Sequence, residues 1–209
     1  MKGKQVVDRR IHRTQQMLSD AFFALIVERG YDSITVQDIT ERANIGRATF
    51  YLHYHDKEQL LEESLLALFE DLTKDVELAP GFPATYQSLS IHVFQHIAEH
   101  HALYRALFKE GGPPFIVIRM HRWLASLIER RVLKAHIEQC TSNVDAGLLA
   151  MHCAGSLLAL VIWWLDHDLA PAAEQLGYLF WQLISPGIND VLGIPLPESN
   201  AIPDTKKEA

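Results

Sequence analysis

The chain has 209 residues, of which 48% are hydrophobic and 22% are charged, and its formal net charge is −7. This composition excludes extensive disorder, and the length allows one sizeable core or a small module joined to a larger one. Two cysteines, Cys140 and Cys153, are too few for a disulfide framework, and the basic first 13 residues lack the apolar segment of a signal peptide. We therefore expect a cytoplasmic protein with reduced cysteines.

Charge is distributed unevenly along the chain. Residues 1–55 carry eight Lys and Arg against six Asp and Glu, whereas the remainder carries eleven against twenty. The positive charge is concentrated in an N-terminal arm that includes Lys4, Arg9 and Arg10. A basic arm on an acidic protein favours a local encounter with a polyanion, while the acidic body limits non-specific adhesion.

The first quarter of the chain is predicted to contain three helices. Apolar residues recur at helical spacing over 8–29, and Gly30 supplies the end of this first helix. Thr35 begins a capping-box pattern ahead of a second helix over 36–43. The run Asn44-Ile45-Gly46 then predicts a tight turn.

The third helix, which follows this turn, divides its residues in an unusual way. Phe50 and Tyr54 lie four residues apart, so both can point into a small core. The residues predicted for its outer faces are Arg47, Ala48, Thr49, Tyr51 and His53. Leu52 is left with two interpretations, a contact with a binding partner or packing against the first helix. So many hydrogen-bonding groups on an outer face favour a binding surface.

The rest of the chain is predicted to be helical, with turn residues between the helices. Asp56 is placed to cap a fourth helix that runs to about Val76. Further helices are predicted over 85–100, 102–109, 115–137, 143–169 and 172–192, the last interrupted near Pro186-Gly187. These elements predict an all-α fold with an N-terminal domain over 1–55, a larger helical domain over 56–192 and a flexible tail over 193–209.

One helix in the larger domain is unusually apolar. The run Leu148–Leu165 is almost long enough to cross a bilayer. It contains His152 and Ser156, however, and acidic residues rather than Lys or Arg flank it. A helix buried on nearly all sides, within a core or an oligomer interface, is therefore the better interpretation.

Two short helices joined by a tight turn are typical of a helix-turn-helix domain, whose second helix lies in the DNA major groove. On this interpretation Arg47 contacts guanine O6 and N7, and Ala48 contacts a thymine methyl group. Gln37 is predicted to reach a base edge or a phosphate. The predicted phosphate contacts come from Thr49, Tyr51, His53 and Lys57, the last at the N-terminus of the fourth helix. The arm with Lys4, Arg9 and Arg10 is predicted to follow a phosphate strand or to enter the minor groove.

The run TVQDITERANIGRATFYLHYHDKEQL, residues 35–60, resembles the N-terminal domain of tetracycline-repressor-like (TetR/AcrR) regulators. The matching residues are Thr35, Ile39, Ala43, Thr49, Phe50, Tyr51, His53, Lys57 and Leu60. Asn44 stands where the family usually has a turn glycine, and Gly46 where it usually has a serine-like cap. Asn tolerates the left-handed conformation and Gly is an acceptable N-cap, so the motif is retained.

The resemblance implies a C-terminal domain that binds a small-molecule effector and dimerises through its last two long helices, with no cofactor. Such a homodimer would bind a palindromic operator in double-stranded DNA, as a repressor that the effector releases. The interface candidates are the run around Trp163 and Trp164, and the helix with Tyr178, Phe180 and Trp181. Six residues are candidates for lining the effector pocket: Phe94, Tyr104, Phe108, Met120, Trp123 and His152. Each of them would equally suit ordinary packing in the core.

Residues 96–100 offer a different class of function, because they spell the H-x-x-E-H motif of inverted zinc proteases. The alternative is thus a metal-dependent enzyme or a metal-responsive regulator that uses His92, His96, Glu99 and His100, with Glu174 as a distant further ligand. A partly exposed helix with hydrogen-bonded histidines has the same pattern, so we assign no metal or catalytic residue and expect no enzyme. A third alternative is a helix-turn-helix that serves as a protein-interaction module, which would lack the salt dependence of phosphate contacts.

Overall fold

The structure is a computed structural model that describes residues 2–74, 83–108, 112–113, 115–133 and 144–192. Within these ranges the chain forms helices joined by turns, as predicted. The helices are α1 (Lys2–Arg29), α2 (Val36–Ala43), α3 (Arg47–His53), α4 (Lys57–Lys74), α5 (Pro83–Glu99), α6 (His101–Phe108), α7 (Ile116–Ile128), α8 (Ala146–Asp166) and α9 (Ala173–Leu192). One turn of π-helix, Glu129–Leu133, continues α7. The predicted tail over 193–209 lies outside the described residues.

The N-terminal helix begins at Lys2 rather than at the predicted residue 8. The added turns contain Lys and Gln, which are good helix formers but give no hydrophobic period, so the apolar pattern could not reveal them. The helix ends as predicted. Gly30 has φ of +75°, a conformation that suits glycine, and its N–H donates to the Ile26 carbonyl at 2.9 Å.

The predicted caps of α2 and α4 are confirmed. The Thr35 N–H donates to Asp38 Oδ2 at 2.8 Å, and the Asp38 N–H donates to Thr35 Oγ1 at 3.2 Å, which completes a capping box. Asn44 adopts the left-handed conformation, φ 53° and ψ 44°, in the turn between α2 and α3. Asp56 accepts a hydrogen bond from the Gln59 N–H at 2.8 Å and so caps α4.

One apolar cluster joins the small N-terminal helices to the rest of the protein. Phe22, Ile39 and Phe50 from α1, α2 and α3 are fully buried in it. The same cluster continues through α4 and reaches Trp164 in α8 and Leu176 in α9. Whether the chain divides into domains at residue 55 stays a prediction.

The last helix, α9, packs closely along α5. A Cβ on Gly177 would lie 2.5 Å from the Ile91 Cα, so the two backbones approach at a point where only glycine fits. The predicted interruption near Pro186 is wrong, because α9 continues through this proline. Pro186 and the preceding-turn residue Gln182 are both exposed, so water can satisfy the carbonyl that lacks its helical donor.

The apolar helix α8 packs one side mainly against α7, with further contacts to α6 and α9. Its length and composition would suit a membrane span, and half of its most apolar window is buried inside the protein. The other side is open, since Leu148 is 66% exposed and Trp163 is 45% exposed. The chain's own core therefore buries only part of α8, which presents an apolar face to its surroundings, and burial of that face in an oligomer interface stays a prediction.

Candidate DNA-binding interface

The third helix places its inner and outer residues as the sequence predicts. Phe50 is fully buried, and its ring centroid lies 5.8 Å from that of buried Tyr54. Tyr51 is 48% exposed and Leu52 is 83% exposed. Arg47 and Ala48 are also exposed, whereas Thr49 and His53 are half-buried. The exposure of Leu52 excludes packing against α1 and leaves the outward-facing contact of its two interpretations.

Ion pairs hold α2, the supporting helix, against the end of α1. Arg29 Nη2 lies 3.1 Å from Asp38 Oδ1, and Arg42 forms a two-point contact with Glu28. Hydrogen bonds from Thr35, aided by the Arg29 charge, lower the pKa of Asp38 to about 2. Asp38 is therefore ionised at neutral pH and serves the cap and the ion pair together.

Lys57 has a different environment from the one expected of a free phosphate ligand. Its Nζ donates to the carbonyls of Tyr31 and Ile34, both at 2.9 Å, and lies 4.2 Å from the centroid of the Tyr31 ring. Two of the three ammonium donors are thus occupied by the loop between α1 and α2. In this structure the side chain holds that loop against the start of α4, and the predicted phosphate contact of Lys57 stays a prediction that rests on its third donor.

Tyr31, which no sequence pattern indicates as a functional residue, connects α1 to the segment that precedes α7. Its ring contacts Phe22 and Phe115, each with centroids 6.0 Å apart, and burial raises the pKa of its hydroxyl. Phe115 precedes α7, and the Arg119 guanidinium lies 4.8 Å from its ring centroid. Tyr31 and Phe115 are far apart in the chain, so no local pattern could have predicted their contact.

The remaining predicted DNA contacts are distributed around α3. Gln37 is exposed at the start of α2, and its amide donates to Glu41 at 2.8 Å. An open depression of about 590 Å³ lies between Gln37 and Arg47, over the turn. Arg9 and Arg10 are exposed on α1, so their side chains project from a helix rather than from an extended arm. The side chain of Lys4 lies outside the described residues.

Among the cavities that the described residues line, none brings the six predicted effector residues together. Tyr104, Phe108 and Met120 line a cavity of about 20 Å³, which holds no more than about one water molecule. Phe94 is fully buried elsewhere, with its ring 5.5 Å from that of Trp164. Trp123 and Met120 line a separate, larger groove, and His152 is exposed on α8.

The histidine motif on α5 is not arranged as a metal site. His96 Nε2 lies 3.1 Å from the Tyr104 hydroxyl, whereas His92, Glu99 and His100 are exposed. Glu174 accepts a hydrogen bond from Gln95 at 3.2 Å. Among the described residues, no group of three or more His, Cys, Asp or Glu could hold a metal ion. The metal-dependent alternative is therefore not favoured.

Comparison with known proteins gives matches over most of the chain. Residues 18–64 match the family model described as bacterial regulatory proteins, tetR family, and residues 84–185 match a transcriptional regulator C-terminal region. The "Uncharacterized HTH-type transcriptional regulator YxbF" of Bacillus subtilis (strain 168) is 28% identical over 88% of this chain, which spans 47% of that protein. The biofilm operon negative regulator IcaR of Staphylococcus aureus (strain Newman) is 36% identical over 36% of this chain and 43% of its own.

Solved structures show the same fold. A TetR transcriptional regulator from Streptococcus agalactiae 2603V superposes with a TM-score of 0.59 at 27% identity, over 87% of this chain and 98% of its own. The N-terminal match covers the helices whose caps, turn and outward-facing residues are described above, and the C-terminal match covers α5 through most of α9. The chain belongs to the TetR family of transcriptional regulators.

Proposed function

We propose that the protein is a sequence-specific DNA-binding repressor that acts as a homodimer on a palindromic operator and responds to a small molecule. The observation that supports this proposal is the division of α3. Phe50 anchors the helix while Arg47, Ala48, Tyr51 and Leu52 are exposed. The name of the relative IcaR, a negative regulator, favours repression over activation.

Base readout is assigned to the first half of α3 and to Leu52. Arg47 can donate two hydrogen bonds to guanine O6 and N7, the commonest specific contact in the major groove. Ala48 and Leu52 offer apolar surface to thymine methyl groups. Leu52 is 83% exposed in the free protein, so a thymine methyl that covers it would remove apolar surface from water.

Phosphate contacts are assigned to the polar residues around this centre. Thr49, Tyr51 and His53 have donors for phosphate oxygens, and Gln37, which is exposed and lines the same depression as Arg47, is proposed to contact the same strand. Arg9 and Arg10, and with them Lys4, are proposed to follow a phosphate strand. These contacts supply affinity that falls with salt rather than sequence preference.

Dimerisation is assigned to the exposed apolar faces of α8 and α9. Leu148, Met151 and Trp163 of α8 are all more than 40% exposed, as are Leu179 and Leu183 of α9. Large apolar side chains exposed on two neighbouring helices favour a protein contact site. Two-fold pairing through it would present two copies of α3 to successive major grooves, about 34 Å apart, which accounts for a palindromic site.

The effector response is proposed to be a shift between two dimer states that differ in the separation of the α3 helices. An effector that binds more tightly to the dimer state that misfits the operator shifts the population toward that state, so the affinity for DNA falls. The size of the fall is limited by how much more tightly the effector binds that state than the other. Tyr31 supports such coupling, because it contacts both parts of the protein. Its carbonyl accepts a hydrogen bond from Lys57 at the start of α4, and its ring contacts Phe115 just before α7.

The experiment that tests the proposal is selection of binding sites from a random duplex library with the wild type and the Arg47→Ala variant. We expect the wild type to enrich a palindrome. Arg47→Ala should lose preference at one base pair in each half-site and bind the original site about 10- to 100-fold more weakly, as expected for loss of one bidentate contact. Arg130→Ala, which removes an exposed arginine from the π-helical turn, is the matched control. Absence of any enriched sequence with the wild type would contradict the proposal.

A further inference from the structure

A groove of about 450 Å³ runs between α4 and α7. Its volume lies within the usual range for small-molecule sites, roughly 300–1,000 Å³. The predicted effector residues Met120 and Trp123 line it, but the other four do not. Helix α4, which follows the helix-turn-helix directly, forms one wall of the groove, and α7 forms the other.

The groove has an apolar floor. The side chains that form it are Leu65 and Leu66 from α4 and Ile116, Met120 and Trp123 from α7. Trp123 also contacts Phe69, with ring centroids 5.0 Å apart, so the indole is fixed along one wall. The floor consists of aliphatic and aromatic groups, and the indole N–H is its one side-chain hydrogen-bond donor. Such a floor suits a hydrocarbon chain or an aromatic ring system.

The rim of the groove is charged, and its charges are not equally available. Arg119 is paired with Glu62 across the groove, so these two neutralise each other. Glu63 accepts a hydrogen bond from the Gln59 amide at 2.8 Å. Arg122 is exposed and has no ion-pair partner within the part of the chain that the structure describes. A guanidinium without a partner, beside an apolar floor, provides a bidentate site for a carboxylate.

We propose that the α4–α7 groove binds an amphipathic monocarboxylate, with the carboxylate on Arg122 and the apolar part on the floor formed by Leu66, Met120 and Trp123. The proposal rests on the proposed function, since it names the class of effector and the place where it binds. The groove also lies next to the contact between Tyr31 and Phe115. Its residue Ile116 directly follows Phe115, and its residue Arg119 has its guanidinium 4.8 Å from the Phe115 ring centroid.

The test is isothermal titration calorimetry of the full chain, without DNA, with three ten-carbon probes that differ in the head group: decanoate, decanol and decyltrimethylammonium. We expect decanoate to bind most tightly. Arg122→Gln should weaken decanoate about tenfold and leave decanol unchanged, whereas the matched Arg130→Gln variant should bind decanoate like the wild type. Leu66→Trp, which fills the groove from α4, should abolish binding of decanoate and decanol alike.

Several outcomes would overturn the inference. No heat with any probe, or equal decanoate affinity in the wild type, Arg122→Gln and Leu66→Trp, would show that the groove is not the site. Tighter binding of decyltrimethylammonium would show that Glu63 rather than Arg122 governs the head group. The test is separate from that of the proposed function, since selection of an operator requires no ligand and calorimetry requires no DNA.

Discussion

Among the described histidines, His96 is the one whose pKa the fold clearly shifts. Its Nε2 lies 3.1 Å from the hydroxyl of buried Tyr104, and the Phe69 ring centroid is 6.1 Å from its own. Burial, together with the nearby His100 and His92, lowers the pKa of His96 to about 4 from its ordinary value of 6.5. The first histidine of the H-x-x-E-H motif is thus neutral at physiological pH because it is packed, and its environment is explained without a metal.

This pKa shift predicts a pH dependence of stability. Between pH 6.5 and about 4 the unfolded chain binds a proton at His96 that the folded protein does not, so the free energy of unfolding falls as pH falls through this window. Above pH 6.5 the contribution is constant. His96→Gln keeps a hydrogen-bonding group near Tyr104 but does not titrate, so urea denaturation at several pH values should show a shallower fall. The exposed His12→Gln variant controls for loss of a histidine, and identical slopes for His96→Gln and the wild type would contradict the assignment.

Lys57 can have a structural role or a DNA-binding role, and stability and salt dependence distinguish the two. If its ammonium holds the Tyr31 and Ile34 carbonyls, Lys57→Met should lower the free energy of unfolding by about 1–3 kcal/mol, because half-buried acceptors lose a charged donor. The slope of log K for DNA against log salt should then stay unchanged. Arg10→Met is the comparison, with a slope reduced by about 0.9 and unchanged stability. A reduced slope without a stability loss in Lys57→Met would favour the phosphate role.

At the scale of single elements, the capping box fixes where α2 begins and therefore how the turn presents α3. Thr35→Ala should lower the free energy of unfolding by about 1 kcal/mol, since the Asp38 N–H loses its side-chain acceptor. Thr35→Ser keeps the hydroxyl and should be close to the wild type. Both variants can be compared by urea denaturation. An equal loss in the two would mean that the Thr35 methyl group, not the cap, carries the effect.

The N-terminal elements could be predicted in detail because their signals are local. A capping box, an αL asparagine and an aspartate N-cap each act within four residues, so Thr35, Asn44 and Asp56 were identifiable from sequence alone. The same reasoning separated buried Phe50 from the outer face of α3. Local patterns failed at Pro186, because whether a helix tolerates a proline depends on the exposure of the carbonyl one turn earlier.

The proposed effector groove could not be predicted from local patterns, since its lining residues come from α4 and α7, which are distant in the chain. Aromatic residues at helical spacing are equally suited to core and pocket, and the structure places Phe94 and Tyr104 in the core. The α4–α7 groove depends on Arg119 meeting Glu62, two residues on helices far apart in the chain. Leu52 shows the intermediate case, in which sequence defines two alternatives and its exposed fraction of 83% decides between them.

At the scale of the whole molecule, the proposed dimer makes a direct prediction for α9. Leu183 is 70% exposed, and Leu183→Glu should place a charge in the apolar contact between protomers. Analytical ultracentrifugation should then show a monomer, with weaker binding to a full palindrome and unchanged binding to a half-site. Val27→Glu, a similar change at an exposed residue of α1, is the control. A dimer that persists in Leu183→Glu would exclude this face.

The continuous apolar cluster has a consequence for how the protein is made. The helix-turn-helix is synthesised first, but residues of α4, α7, α8 and α9 complete the cluster to which Phe22, Ile39 and Phe50 belong. A chain that leaves the ribosome folds its segments as their packing partners appear. Since α1, which supports α2, also packs against α4 and α6, we expect the helix-turn-helix to reach its full stability only once α6 has been synthesised, so that a chain terminated before α6 holds α3 less firmly.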